Sequence, residues 1–207
     1  MLTGVTFEDL VATQTPFKVG KNSLFHARPK GAPTVGGDWQ GVKVFVLGTP
    51  PALTAGDVVE IKGDAVEYYC ETEIKAKAAD IKTVSKNSPP APYEVVTKSI
   101  TFDGEASEAF EGVLVKLINV KVTQPNTLGT DGKTHGGFSV ASQTDLKSQV
   151  HVDLASVSQY TQKSTQTGDL VTTFTTGQVF SSVIGHLNYS FGEYVLIPRG
   201  DTDLVVQ

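Results

Sequence analysis

Cysteine, methionine and tryptophan each occur only once among the 207 residues of this chain. The single cysteine, Cys70, excludes an internal disulfide, which fits either a cytosolic protein or an exported bacterial protein without disulfides. No apolar run approaches the roughly 18 residues that a membrane-spanning helix needs. The first residues, Met1–Val5, have neither the basic nor the apolar stretch of a signal peptide, so we expect none within the chain.

Positive charge is also scarce. Lysine and arginine number 17 and aspartate and glutamate 22, which leaves a net charge of −5. A protein that binds nucleic acid strongly usually carries a basic surface. The charge balance therefore argues against a general polyanion binder, although a local basic patch remains compatible with it.

β-Branched residues are abundant instead. The chain has 27 valines and 24 threonines against 14 leucines, together with 20 glycines and 10 prolines. β-Branched side chains suit the pleated surface of a strand, and glycine and proline supply turns. The composition predicts an all-β protein of short strands.

Two of the predicted strands alternate clearly. The strand at 42–47 has Val42, Val44 and Val46 on one face and Lys43, Phe45 and Leu47 on the other. The strand at 150–154 has its three apolar residues facing inward.

One sequence phrase occurs twice, near the end of each half of the chain. It consists of a glycine, a β-rich run to a second glycine, an aromatic residue, another strand and an Asp-apolar close. The copies begin at Gly56 and Gly177 and close at 80–81 and 203–204. Such a repeat predicts two copies of one small β-domain, in which the phrase marks the fourth and fifth strands.

The predicted fold is all-β, with two tandem OB-fold-like barrels of five strands each. The first barrel is predicted to cover residues 1–88 and the second 93–207, joined by a stiff Pro-rich linker at 89–92. A long Ser/Thr-rich insertion at 155–176, with room for one short helix at 156–160, distinguishes the second barrel. The alternative is a single sandwich of ten strands, because periodicity does not give strand order.

Several segments resemble OB-fold-like domains that are attached to large secreted bacterial nucleases or stand in bacterial surface proteins. The opening strand is matched by 108–117 and 119–123, the closing segment by 185–189, 192–199 and 203–204, and the middle strands by 39–46 and 56–63. The resemblance implies an extracellular or cell-surface accessory module, and it places the cytosolic interpretation of Cys70 second. Nothing in the chain matches the metal-binding set of the nuclease domain, so the resemblance implies no catalytic activity.

The candidate chemical groups form no recognisable catalytic or metal-binding motif. The four histidines, His26, His135, His151 and His186, lack the spacing of zinc ligands, and an exposed place on its strand is the simpler explanation of His151. No Gly-x-Ser-x-Gly motif or phosphate-binding loop is present. We therefore predict no enzyme activity, no cofactor and no metal, with a calcium site formed by separate loops left open.

The best candidate for a ligand-binding surface combines cations with aromatic rings on the second and third strands of the first barrel. Bases of single-stranded nucleic acid stack on such rings while cations follow the backbone. The candidate residues are Phe25, His26, Arg28, Lys30, Trp39, Lys43 and Phe45. The structural alternative is that Phe25 or Phe45 belongs to the core and that the cations keep a strand edge soluble.

The long insertion contains a second candidate, an uncharged β-prone stretch at 170–176. At an exposed edge it can pair with another copy of the chain, through Leu170, Val171, Thr172 and Phe174. The alternative is an ordinary covered strand.

The two candidate surfaces lead to two predicted functions. The first is an exported, non-catalytic module that binds extracellular nucleic acid or a surface polymer; the second is a self-assembling subunit of a surface fibre or layer.

Overall fold

The computed structural model describes residues 1–49, 51–101, 106–129, 131–154, 158–190 and 192–207. Across these residues the protein is built from β-strands and three short 3₁₀ helices, as the composition predicts. No helix among them is long and apolar enough to cross a membrane. The chain divides into two compact units, called unit 1 (Met1–Tyr93 with Ala109–Leu114) and unit 2 (Glu94–Glu108 with Val115–Gln207).

Unit 1 contains one sheet of six strands. They are β1 (Leu2–Ala12), β2 (Phe17–Val19), β3 (Asn22–Pro29), β4 (Val42–Leu47), β5 (Asp57–Tyr68) and β6 (Glu71–Lys86). The sheet order is β1-β5-β6-β4-β3-β2, and β1 also pairs with β3. The extra pairing closes five strands into a barrel and leaves β2 as a short hairpin strand on β3. Around this ring the first, second, third, fifth and fourth barrel strands follow one another, and β4 and β6 run parallel.

Alternating side chains fill the barrel of unit 1. Val44 and Val46 of β4 are fully buried, and Phe25 of β3 lies opposite Val44 and is also fully buried. Val59 and Ile61 of β5 complete the same apolar cluster. Each fully buried side chain of this size stabilises the fold by about 1.5–3 kcal/mol, so the alternation predicted for 42–47 sets the inward face of the barrel.

The rest of the chain forms a second sheet, a small hairpin and the 3₁₀ helices. Its strands are β7 (Tyr93–Glu94), β8 (Leu114–Gln124), β9 (Gly137–Ser142), β10 (Asp145–Asp153), β11 (Thr161–Lys163), β12 (Leu170–Thr172), β13 (Val179–Ser190), β14 (Glu193–Ile197) and β15 (Leu204–Val206). The 3₁₀ helices are Thr97–Ile100, Glu108–Phe110 and Asp201–Asp203. The larger sheet has the order β15-β13-β14-β10-β9-β8-β7, and β11 pairs with β12 separately.

The main strands of this second sheet have the same order as the barrel strands of unit 1. The successive neighbours are β8, β9, β10, β14 and β13, and β10 and β14 are parallel. These five strands and the five barrel strands of unit 1 are called the principal strands and are numbered first to fifth in chain order within each unit. β8 also pairs with β13, and hydrogen bonds near the end of β8 join Val122 to Gly177 and Gln178. The sheet is barrel-like without being closed as in unit 1. The prediction of two barrels is therefore confirmed for one of them, and a single ten-stranded sandwich is not observed.

The glycine that begins each copy of the repeated phrase has the same role in both units. Gly56 and Gly177 have φ angles of +96° and +89°, a left-handed region that side chains with a Cβ rarely adopt. Each donates its N–H to a backbone carbonyl at 2.8 Å, Gly56 to Ala12 of β1 and Gly177 to Val122 of β8. The runs after them form β5 and β13, the fourth principal strands, as the phrase predicts.

The predicted linker and insertion have definite places in the structure. Residues 89–92 lie within the range of unit 1, where Pro90 is buried and Arg28 Nη1 donates to the carbonyl of Ala91 at 3.5 Å. Residues 109–114, which belong to the predicted second barrel, are part of unit 1. The insertion holds β11 and β12. Of the short helix considered at 156–160, residues 156–157 lie outside the described residues, and 158–160 are not helical.

Candidate functional site

A concave pocket of about 350 Å³ opens on the outer face of unit 2. The β8–β9 connection, the outer sides of β9, β10 and β14, and the adjoining ends of β13 and β14 all contribute to it. Its ionisable lining residues are Asp131, His135, His151, Asp153 and Glu193. Pockets of this volume are typical of sites for a small ligand or for one part of a larger one.

The first histidine–carboxylate pair of the pocket bridges two neighbouring strands. β10 and β14 are parallel with His151 opposite Val195, and Glu193 shares the outward face because it lies two residues from Val195. His151 Nδ1 lies 3.1 Å from Glu193 Oε1, and the histidine side chain is 13% exposed. A Cβ atom at Gly137 would lie 2.4 Å from His151 Nε2, so the glycine leaves the space that the imidazole occupies.

The second pair lies in the β8–β9 connection at the rim of the pocket. His135 Nε2 lies 3.0 and 3.1 Å from the two carboxylate oxygens of Asp131, and the N–H of Lys133 donates to Asp131 Oδ1 at 3.0 Å. These hydrogen bonds, that of His135 first, lower the pKa of Asp131 below its ordinary value. Both side chains are about half exposed, so this pair faces solvent and any bound molecule.

The pocket carries negative charge and a small apolar surface. Three carboxylates line it, with two histidines and no lysine or arginine among the described lining residues. Val195 and Ile197 of β14 supply the apolar part, and Thr127 and Ser190 add hydroxyl groups. Among the residues that the structure describes, no group of three or more His, Cys, Asp or Glu side chains is arranged to hold a metal ion. The arrangement suits recognition by hydrogen bonding.

The matching position of unit 1 holds a sealed ion cluster instead of a pocket. Lys43 of β4 lies opposite Glu73 of the parallel strand β6, as His151 lies opposite Val195, and Glu71 begins β6 as Glu193 begins β14. Lys43 Nζ contacts the Glu71 carboxylate and lies 3.3 Å from Glu73 Oε2. All three side chains are less than 10% exposed, which makes this a buried cluster.

Residues 109–112 are hydrogen-bonded to this part of unit 1. Trp39, itself at a φ of +60°, donates its N–H to the carbonyl of Ala109 at 2.6 Å, and the N–H of Thr72 donates to Glu111 Oε1 at 2.8 Å. A Cβ atom at Gly41 would lie 2.4 Å from the backbone of Gly112. The chain's own backbone therefore occupies the space beside the third and fifth barrel strands.

The carboxyl group of Glu111 has an unusual environment. Burial raises its pKa to about 7, and the negative charges of Glu71 and Glu67 act in the same direction. The hydrogen bond from the Thr72 N–H and the charge of Lys43 oppose this rise without cancelling it. Around neutral pH this segment is therefore held by a carboxyl group that is close to its titration point.

The seven residues predicted to bind a ligand in unit 1 do not share one surface. Phe25 is in the barrel core, and Lys43 is in the buried ion cluster. His26 is 2% exposed, and its Nδ1 lies 3.0 Å from Gln14 Nε2. Phe45, on the opposite face of β4 from Val44, is half-buried. The alternative prediction, that Phe25 or Phe45 belongs to the core, agrees with the position of Phe25.

The remaining three of these residues lie nearer the surface. The Arg28 guanidinium carbon lies 5.4 Å from the centre of the Tyr93 ring, which fits a cation–π contact. Lys30 Nζ lies 3.7 Å from Asp9 Oδ1 in an exposed ion pair. Trp39 is 66% exposed, so of the aromatic residues proposed for base stacking it is the one with a largely free ring.

Of the four residues predicted to self-associate, three form a paired strand and the fourth, Phe174, lies buried just after it. Leu170, Val171 and Thr172 form β12, which pairs with β11, and the carbonyl of Leu170 accepts a hydrogen bond from Gly136 at 3.0 Å. Phe174 is 5% exposed and lies 4.7 Å from Phe138, centre to centre. These contacts favour the alternative stated from the sequence, an ordinary covered strand.

Sequence reasoning did not group the pocket residues, although it identified their strand. The alternation at 150–154 places His151 and Asp153 on one outward face, and His135 lies in a glycine-rich connection at a strand end. Their convergence depends on the parallel pairing of β10 with β14. His26 and His186 are buried elsewhere, so the four histidines do not form one set.

Comparison with known proteins assigns the chain to no family. No protein-family model matches it, and no curated protein sequence does. A solved structure described as "Structural mimicry for functional antagonism" aligns with 100% of this chain and 94% of its own, at 16% identity and a TM-score of 0.34. A likeness at that level carries no argument. The resemblance to nuclease-attached domains therefore stays a prediction.

Proposed function

We propose that this protein is a non-catalytic module of two OB-fold-like units that binds a polymer through the outer face of unit 2. The pocket of unit 2 carries this proposal. OB-folds bind oligonucleotides and oligosaccharides on the second and third strands, between the loop that follows strand 1 and the loop that joins strands 4 and 5.

The pocket lies in that region of the sheet. In unit 2 the second and third strands are β9 and β10, which contribute Gly137, His151 and Asp153. The connection after the first strand contributes Asp131 and His135, and the junction of the fourth and fifth strands contributes Ser190 and Glu193. A ligand in the pocket would touch all of these parts of the sheet at once. The strand order shared with unit 1 supports the assignment of the same topology to both units.

The proposal includes export and a non-catalytic role because the sequence resembles accessory domains of secreted proteins. The accessory domains that the chain resembles stand beside an enzyme or in surface proteins, and the sequence has no recognised nucleophile or metal motif. The pocket supplies polar groups for recognition, and we assign it no reaction.

The two other expectations have less support from the geometry. Binding of nucleic acid in this pocket would bring phosphates against three carboxylates. Self-assembly through the predicted residues 170–174 would require Phe174 to leave an aromatic cluster with Phe138 and Phe180. Polymer binding at the unit 2 face requires no such rearrangement.

Backbone NMR mapping tests the proposal directly. Soluble oligomers of three kinds would be titrated into ¹⁵N-labelled protein: neutral hexasaccharides, a 20-nucleotide oligo(dT) and hexalysine. We expect chemical-shift changes for at least one of them to cluster on the amides of His135, Gly137, His151 and Glu193. Changes centred on Trp39 and Lys30 would move the site to unit 1, and no change with any oligomer at millimolar concentration would overturn the proposal.

A further inference from the structure

We infer that the polymer bound at the unit 2 pocket is uncharged and rich in hydroxyl groups, as a neutral polysaccharide is. This inference rests on the proposed function and adds the ligand's chemical class. It follows from the charge, the hydrogen-bonding groups and the apolar surface of the pocket.

The charge of the pocket excludes a polyanion. Asp131, Asp153 and Glu193 give a charge of −3 when both histidines are neutral and −1 when both are protonated. A polyanion needs lysine or arginine to neutralise its phosphates or carboxylates. The described lining has neither residue, so a negatively charged chain would be repelled at either protonation state of the histidines.

The hydrogen-bonding groups of the pocket favour a ligand that donates hydrogen bonds. Ionised carboxylates only accept hydrogen bonds, and three of them converge in the pocket. The hydroxyl of Thr127 is already within 2.8 Å of the Ser139 hydroxyl. The pocket is therefore richer in acceptors than in donors, and its complement carries hydroxyl or ammonium groups.

The histidine partners favour hydroxyl groups over ammonium groups. Asp131 and Glu193 each have an imidazole nitrogen within about 3.1 Å, a side-chain partner that can donate a hydrogen bond or carry positive charge. A cationic ligand would have to compete with both partners. A hydroxyl group both donates and accepts, so it can bind a carboxylate oxygen and an imidazole N–H side by side.

The apolar part of the pocket fits the carbon-bearing face of a sugar ring. Val195 and Ile197 lie next to each other on the outward side of β14, beside the His151–Glu193 pair. A sugar ring presents hydroxyl groups at its edge and C–H groups on its face, so polar and apolar lining would be used together. A pocket of about 350 Å³ has room for one or two such rings of a longer chain.

Two substitutions in unit 2 test the ligand class. Asp153→Asn removes one acceptor charge while keeping the shape, and Gly137→Ala places a methyl group against His151 Nε2 and displaces that ring. Asp145→Asn, at the other end of the same strand β10, is the matched control. Circular dichroism melts would establish that each variant is folded. Binding would be measured on an array of neutral glycans and by calorimetry with the hexasaccharides that the array identifies.

Each outcome of these measurements bears on the inference. We expect a neutral oligosaccharide to bind wild type and Asp145→Asn equally, and to bind the two pocket variants about 10- to 100-fold more weakly. Binding of hexalysine alone at the pocket would keep the proposed function and overturn the ligand class. Salt-dependent binding of oligo(dT) at the pocket would do the same. If nothing binds at the pocket, the proposed function fails as well.

Discussion

Lys43 in unit 1 and His151 in unit 2 occupy matching places in sheets of the same strand order, but only His151 lines an open pocket. Each contacts a glutamate at the start of the fifth principal strand. In unit 1, residues 109–112 are hydrogen-bonded to Trp39 and Thr72 beside this pair. Among the described residues that line the pocket of unit 2, no such covering segment is present. One topology can therefore carry a buried ion cluster or a binding face, depending on a short segment outside the barrel strands.

The charged groups at the two matching places also differ in their exposure to water. The buried Lys43 cluster depends on the one lysine that contacts both glutamates, because burying an ion costs several kcal/mol unless it is paired. The histidine pairs of unit 2 line an open pocket and are more exposed than the Lys43 cluster, so we expect each to contribute less to stability. The comparison predicts that equivalent substitutions will have unequal effects in the two units.

Lys43→Met should produce the largest effect. It leaves Glu71 and Glu73 buried without their cation, and breaking a buried pair from one side typically costs about 3–5 kcal/mol of unfolding free energy. Urea unfolding followed by the fluorescence of Trp39, the sole tryptophan, reports on unit 1. His151→Gln is the matched change in unit 2, and circular dichroism should show a cost below about 1 kcal/mol. Equal costs for the two variants would contradict the comparison.

Gly41→Ala should produce the next largest effect, by displacing residues 109–112. Its methyl group would meet the backbone of Gly112 at 2.4 Å, and backbone cannot rotate aside as a side chain can. We expect a loss of about 1–3 kcal/mol, as in other overpacked sites, and faster hydrogen exchange at the Thr72 and Trp39 amides. Gly31→Ala is the control, since no atom lies within 4 Å of its added methyl group. Unchanged exchange at Thr72 would show that the segment is not held this way.

Glu111→Gln should alter how the stability of unit 1 depends on pH. The pKa of Glu111 is about 7 in the folded protein against an ordinary value of 4.5, so the folded state favours the protonated form. Its contribution is present below about pH 4.5 and is lost as the pH rises through about 7. Glutamine keeps an acceptor for the Thr72 N–H and carries no charge. The variant should therefore be more stable than wild type at pH 8 and similar to it at pH 4.5.

The measurement for Glu111 is the urea midpoint of unit 1 at several pH values between 4.5 and 8. Glu108→Gln, three residues earlier and exposed, removes one charge without touching the Thr72 contact. Its midpoints should follow those of wild type. If Glu111→Gln and wild type lose stability in parallel between pH 5 and 8, the titrating group is another carboxylate of the cluster.

His135→Gln should have the smallest effect on stability, because the Asp131 pair is solvent-exposed. The hydrogen bond from His135 is the largest cause of the lowered Asp131 pKa, so its loss should raise that pKa toward the ordinary value. Carboxyl ¹³C NMR titration measures the shift. An Asp131 pKa that does not move would assign the lowering to the Lys133 backbone N–H instead.

Much of the fold could be predicted from local sequence patterns. The strand predicted at Val42–Leu47 has those limits in the structure, and the alternation correctly places Val44 and Val46 inward. The repeated glycines mark the entry to the fourth principal strand because a left-handed φ is a local requirement. The functional residues were harder to predict. Lys43 lies on the outward face, as predicted, but alternation does not reveal whether another segment covers that face.

The sequence by itself determined the all-β class, the positions of the main strands and the recurrence of one strand phrase, because turn chemistry and side-chain alternation act between near neighbours. Only the tertiary structure decided which of the two matching faces is open. That choice depends on contacts between distant residues, such as Thr72 with Glu111 and His151 with Glu193. The parallel pairing of the third and fifth principal strands, which no local pattern encodes, brings Lys43 beside Glu73 in unit 1 and His151 beside the strand of Glu193 in unit 2.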